Sequence, residues 1–211
     1  MLGTALALAC AGPVVAADSG GTAFQSAAPG ASPAKRALLG SPVTFRGQAR
    51  RGTTIAVQRL QNGTWSTVAT ARAGRSGRYA ASWRTDRAGS FQMRAVPAGA
   101  AARSSASAEP VQVVVYRRYL STWYGKGWEG RRTACGYTIS PSLMGVAHKT
   151  LPCGTKVSFL FHGRTVTVPV VDRGPYGRGI SWDLTTAAAD ALGFTSTGKG
   201  TVGAVVLKKR R

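Results

Sequence analysis

Acidic side chains are scarce in this chain: 7 Asp or Glu against 28 Lys or Arg in 211 residues, a formal net charge of +21. Between Lys35 and Ala108 the only acid is Asp86. That excludes an acid–base enzyme from this stretch, which reads instead as a spacer or binding module. Long helical periodicity is missing too, and 27 glycines break the chain into short segments. Both features exclude a helical bundle and favour an all-β protein with many turns. No apolar run is long and uninterrupted enough for a convincing transmembrane span.

What is present begins with apolar content of 44%, enough to build cores and to exclude wholesale disorder. The positive field attracts polyanions of any kind, whether nucleic acid, anionic lipid or an acidic polymer. The cations are spread along both halves, so a solvated basic surface explains them equally well and no specific nucleic-acid partner is implied. Residues 1–17 are apolar or small and end in Val14-Val15-Ala16-Ala17, a stretch expected to act as a secretory signal peptide although no Lys or Arg precedes the apolar run. Cys10, in Leu8-Ala9-Cys10-Ala11, offers a rival reading as a lipid-anchoring site. Export leaves Cys135 and Cys153 as an even pair, which suggests a disulfide worth roughly 3 kcal/mol in the chain-entropy model. The rival is a metal site from Cys135, His148 and Cys153, whose spacing matches no common zinc pattern.

Residues 18–40 are rich in Ala, Gly, Ser and Pro and read as a disordered linker. Short strand-like segments then recur over 41–116: Val43–Phe45, Thr54–Leu60, Trp65–Ala71, Arg78–Trp83, Phe91–Val96 and Val111–Tyr116. Turn signals such as Gln61-Asn62-Gly63 separate them. This spacing argues for an antiparallel sandwich of immunoglobulin-like type. Over 119–211, Lys156–Phe161 and Thr165–Val171 flank a His162-Gly163-Arg164 turn, Thr185–Leu192 is the one helix, with Gly193 to stop it, and Val202–Leu207 is a last strand before a basic tail. Strands plus one short helix suggest a small closed barrel.

Five fragments of this second part occur in a telling order: Ser121-Thr122-Trp123-Tyr124-Gly125, Arg132-Thr133-Ala134-Cys135-Gly136, Ala147-His148-Lys149-Thr150-Leu151-Pro152-Cys153-Gly154-Thr155, Val171-Asp172-Arg173-Gly174-Pro175-Tyr176 and Trp182-Asp183-Leu184-Thr185. Together they resemble the rare-lipoprotein-A family of peptidoglycan lytic transglycosylases. The resemblance implies a double-psi β-barrel acting on peptidoglycan glycan strands in the cell wall, as a secreted monomer, with no metal or organic cofactor. Wall targeting then falls to the sandwich or to charge, with anionic wall polymers as a further partner. The cysteines depart from many relatives and fit a disulfide tying the Cys135 loop to the Cys153 turn.

The residues themselves narrow the chemistry. The barrel has four carboxylates, Glu129, Asp172, Asp183 and Asp190. Asp172 ends an apolar strand, and partial desolvation at a barrel mouth would raise its pKa toward general-acid use. The alternative is a turn cap paired with Arg173. Asp183 reads first as an N-terminal cap of the helix; the resemblance places it on the substrate groove. Asp190 is mid-helix on a solvated face, and Glu129 lies in a Gly-flanked loop that lines a cleft or faces water. The resemblance makes Asp172 and His148 the catalytic pair. It leaves Asp183, Tyr124, Trp123, Glu129, Arg173 and Tyr176 to hold substrate, with aromatic rings, Trp128 included, stacking on sugars. His162 sits in a hairpin turn and reads as inert. Two other classes share the fold: an expansin-like protein that binds and loosens wall without cutting, and a secreted protease inhibitor.

Overall fold

A computed structural model describes residues 34–99 and 109–207. The signal segment 1–17 with its Cys10, linker residues 18–33 and the basic tail 208–211 lie outside the described residues. The described residues belong to one compact unit, all-β with a single short α-helix among them.

Strands β1 (Lys35–Leu38), β2 (Pro42–Gln48), β3 (Thr54–Gln61), β4 (Thr64–Arg72), β5 (Arg78–Arg84) and β6 (Gly89–Pro97) precede the long β7 (Val111–Tyr124). β4, β3, β6 and β7 pair antiparallel in that order, β1 joins β7 in parallel, and β2 pairs only with β5. Alternation along the strands turns Val43, Phe45, Val57, Trp83, Met93 and Val113 into one core between the two sheets. Asn62 and Gly63 both have positive φ, 48° and 79°, the backbone of a two-residue hairpin whose twist matches its strands. Arg59 is only 5% exposed. Its guanidinium is satisfied by Asp86 at 2.6 Å and lies over the rings of Trp83 and Phe91. The one acid of this stretch is therefore spent on a structural pair, and Arg59 holds the Asp86 carboxyl below its usual value.

One difference from the sequence reading concerns Lys35–Leu38. These residues fall in the stretch read as a linker, yet they form β1, in register with Val113–Tyr116. Four residues are too few to display a period, and the strand is held by its pairing and by burial of Ala37.

The second half of β7 opens a barrel with β8 (Val146–Ala147), β9 (Lys156–Phe161), β10 (Arg164–Asp172), β11 (Trp182–Thr185) and β12 (Gly200–Val206). The order β11-β8-β10-β9-β12-β7 closes because β7 also pairs with β11. A closed six-stranded barrel results. His162 and Gly163, φ 44° and 82°, make the β9–β10 hairpin, and His162 is exposed there. Helix α1 (Thr186–Leu192) packs Ala188, Ala189 and Leu192 into the barrel core and stops at Gly193, φ 75°. Two strand pairs are parallel, β7–β11 and β8–β10, and a parallel pair cannot be joined by a tight hairpin. The connections that cross the barrel for this reason bring the chemistry-bearing residues together. β7 is continuous over 14 residues: its first half pairs with β6 and β1, its second with β12 and β11. No described helix is long and apolar enough to cross a membrane.

Candidate active site

Register alone aligns the central residues. Asp183 on β11 is level with Thr122 on β7 and with Ala147 on β8, and Ala147 is level with Asp172 on β10. Thr122, Asp183, Ala147 and Asp172 thus form one row across four strands. With neighbouring strands about 4.8 Å apart, the two aspartate Cα atoms are roughly 10 Å apart, separated by a side chain no larger than a methyl.

The two carboxylates have different surroundings. Asp183 accepts a 2.6 Å hydrogen bond from the Thr122 hydroxyl. Burial raises its pKa, the Thr122 bond opposes the rise, and the charge of Asp172 adds to it. Asp172 Oδ1 accepts from the backbone N–H of Ala134 and of Arg173, both at 2.8 Å. The alternative reading, a pairing of Asp172 with the Arg173 side chain, does not occur, although the Arg173 backbone N–H does bond Asp172. That guanidinium donates instead to Leu151 O at 3.0 Å and to Cys153 Sγ at 3.4 Å, so Arg173 braces the loop after His148. The capping role read for Asp183 is also corrected. The helix N-cap is Thr185, without a side-chain cap bond, and Asp183 lies inside β11.

His148 packs on Trp182 with ring centroids 4.4 Å apart. Its Nδ1 accepts from the amides of Thr150 at 3.2 Å and Leu151 at 3.0 Å. An imidazole used this way is neutral and carries its hydrogen on Nε2. Burial first, then the charges of Arg173 and Lys149, hold His148 below its ordinary pKa, in agreement with that state.

Two buried side-chain polar atoms among the described residues have no hydrogen-bond partner: the Tyr124 hydroxyl and the Trp182 indole N–H. Both belong to this end of the barrel. Tyr124 follows Thr122 by two residues and so shares its face of β7. Burial pushes its phenol well up, helped by the nearby Asp172 carboxylate and by the charge of Asp183. An unsatisfied buried hydroxyl costs about 1–3 kcal/mol, and such groups call for an explanation in the site's use.

Above the row, residues 130–139 form a small hairpin closed by Gly130 N to Ile139 O and Thr133 N to Tyr137 O. Cys135 in this hairpin is bonded to Cys153, with Cα atoms 5.8 Å apart. The expected disulfide is therefore present, and it occupies both sulfurs of the alternative Cys135–His148–Cys153 metal set. It also anchors Ala134, whose amide holds Asp172.

The remaining predicted contacts separate. Trp123 faces the barrel core, and its Nε1 donates to Thr195 O at 3.0 Å, so it does not join Tyr124 on the row's face. Tyr176, 81% exposed, and Trp128, 53% exposed with Arg131 over its ring, stand free on loops. Glu129 is exposed beside Trp128, with no described contact to the row. Asp190 is exposed and bonds Thr195. Sequence reasoning missed Thr122, Ala134 and Trp182. Of these only Thr122 had a local signal, its alternation with Tyr124 along β7.

With this geometry in place, the comparison with known families bears on one segment. Residues 117–204 match the family model described as lytic transglycolase. That span runs from the second half of β7 to β12. Similar curated proteins include the probable endolytic peptidoglycan transglycosylase RlpA of Synechocystis sp., 45% identical over 85 residues, which are 39% of this chain and 26% of that protein. The same-named protein of Aquifex aeolicus is 46% identical over 85 residues, 39% of this chain and 38% of its own length. This chain thus spans between a quarter and two fifths of those relatives' length. Among solved structures, Streptomyces papain inhibitor aligns with TM-score 0.36 and 28% identity over 42% of this chain and 91% of its own. A Clavibacter michiganensis expansin aligns with TM-score 0.37 and 21% identity over 44% of this chain and 51% of its own.

Proposed function

We propose that the barrel cleaves the glycan strands of peptidoglycan as a lytic transglycosylase, outside the cytoplasm and as a monomer. The observation that carries the reading is the row of two carboxylates in unlike environments. One carboxyl bonded to a side-chain hydroxyl and one held by two backbone amides suit different roles in proton transfer. Asp183, half-buried beside Thr122, delivers a proton to the glycosidic oxygen between MurNAc and GlcNAc. Asp172, an acceptor held by two amides, takes the proton from the MurNAc C6 hydroxyl as that oxygen attacks C1. The C1–O bond to the leaving sugar breaks, a 1,6-anhydro ring forms, and no water is consumed. This moves the acid role from Asp172, where the sequence alone puts it, to Asp183.

The other residues support the same step. Neutral His148 offers an Nε2–H donor to a sugar oxygen. The orphaned Tyr124 hydroxyl finds its partner on bound glycan, and exposed Tyr176 and Trp128 stack on flanking sugars. Intramolecular attack gains heavily from proximity, so positioning supplies much of the rate. The names of the matched relatives favour this reading, and the disulfide favours an oxidising, extracytoplasmic compartment. The N-terminal sheets, with β1–β6 and the first half of β7, are read as an immunoglobulin-like module that holds the barrel at the wall.

The test is digestion of isolated sacculi by the purified protein and by Asp172→Asn. Soluble muropeptides from the native protein and none from the variant, with equal sacculus binding and unfolding temperature, support the reading. Binding without any soluble product from the native protein overturns it in favour of expansin-like loosening. Neither binding nor product, with inhibition of a papain-type protease, leaves the inhibitor class.

A further inference from the structure

The barrel's chemistry leaves most of the chain's positive charge unused. Residues 34–99 carry twelve Lys or Arg and a single acid, Asp86, which is bound to Arg59. The β2–β5 pair turns Val43, Phe45, Ala81 and Trp83 into the core, has no third strand at either edge, and by alternation turns Arg46, Gln48, Arg78 and Ala80 to the outer face. A shallow groove of about 600 Å³ runs there, lined by Arg46, Gly47, Gln48, Arg78, Tyr79 and Ala80. Gly47 and Tyr79 are register partners on the opposite, inward side of the pair, where a Cβ at Gly47 would lie 2.6 Å from the Tyr79 hydroxyl. Arg46 and Arg78 are exposed. Arg72 and Arg84 are tied to the carbonyls of Gly52 and Gly40, whereas Arg46 and Arg78 have no described hydrogen bond or ion pair. At the same end, the bond from Ala49 N to Gly77 O ties the loop carrying Arg50 and Arg51 to the loop carrying Arg75, and all three arginines are exposed.

We propose that this face binds a wall polymer whose negative charges are phosphodiesters on a flexible polyol backbone. The register pairs Arg46 with Ala80 and Gln48 with Arg78, so the two groove arginines are diagonal neighbours, about 7–8 Å apart at Cα. A flexible chain can set successive phosphates against both, each held by a forked guanidinium. The groove has no exposed aromatic ring for stacking bases, since Tyr79 is half-buried. The apolar residues of both strands face the core, so nothing is left to enter a bilayer. The choice of a wall polymer rests on the proposed function; the groove and its two free cations do not. Tethering of this kind would raise the local concentration of glycan at the barrel.

The experiment measures affinity of the full chain for fluorescent poly(glycerol phosphate) at several salt concentrations. Arg46→Gln/Arg78→Gln is compared with Arg118→Gln/Lys199→Gln, which removes the same charge from exposed sites outside the groove. The groove variant should bind about tenfold more weakly and lower the slope of log affinity against log salt by about one to two. The control should change affinity less than twofold, and both should unfold at the native temperature. Equal losses in both variants would overturn the proposal in favour of a diffuse field. So would no binding of the polymer, or tighter binding of oligo(dT) of equal charge. Muropeptide release is scored separately, so failure here is distinct from failure of the lytic reading.

Discussion

Removing the Cys135–Cys153 bridge should separate its two roles. The sequence separation is 18 residues, and the chain-entropy relation for a loop of that size yields about 3 kcal/mol lost on replacing both cysteines by serine. For a cooperative unit of roughly this size, that is a fall in Tm of about 6–12 °C. The second role is local. Cys135 follows Ala134, whose N–H holds Asp172 Oδ1 at 2.8 Å, and Arg173 binds Cys153 Sγ on the other side. Hydrogen bonds to charged groups are worth about 1.5–3 kcal/mol, so loosening Ala134 should slow cleavage by roughly tenfold or more. Thermal unfolding of Cys135→Ser/Cys153→Ser gives the first number. Muropeptide release at 25 °C, where the variant is still folded, gives the second. An unchanged Tm would refute the stabilising role. A lowered Tm with full activity at 25 °C would refute the positioning of Asp172 through this hairpin.

Two further outcomes follow from the same row. Tyr124→Phe deletes a buried hydroxyl that has no partner, so stability in urea should hold or rise by up to about 1 kcal/mol while activity falls; a clear loss of stability would mean that the hydroxyl is structural. Burial raises the Asp183 pKa above 3.8, so the folded state binds a proton that the unfolded state has released, and native stability from this group is present at low pH and lost as pH rises through its folded value. Asp183→Asn should therefore gain stability relative to the native protein between pH 3.5 and pH 7, with activity lost, whereas an equal offset at both pH values would contradict the buried-acid assignment.

The parts of the fold that were legible in the sequence are those fixed by local chemistry. Asn62-Gly63 and His162-Gly163 each mark a hairpin by residues that tolerate positive φ, and Gly193 marks the helix end. The strands missed were β1, β8 and β11, of four, two and four residues. They exist through pairing with distant partners rather than through any period of their own. The same distance hid half of the site. Thr122 and Asp183 are 61 residues apart, and nothing local announces their hydrogen bond. Asp183 was misread because an aspartate just before a helix ordinarily caps it; here Leu184 and Thr185 continue the strand first. That error had a consequence for mechanism. With Asp183 on a cap, Asp172 would be the one carboxylate of the site, too few for a hydrolase of the usual kind. With Asp183 on the row, two carboxylates are available, and a hydrolase ordinarily needs two.

The chemistry of the cut ends decides between them. Sacculi digested to completion by the native protein should release fragments ending in 1,6-anhydro-MurNAc, one water lighter than reducing-end fragments, when measured by mass spectrometry. Fragments ending in reducing MurNAc, with label incorporated from ¹⁸O water, would contradict the account and make Asp172 and Asp183 the acid and base of a hydrolase.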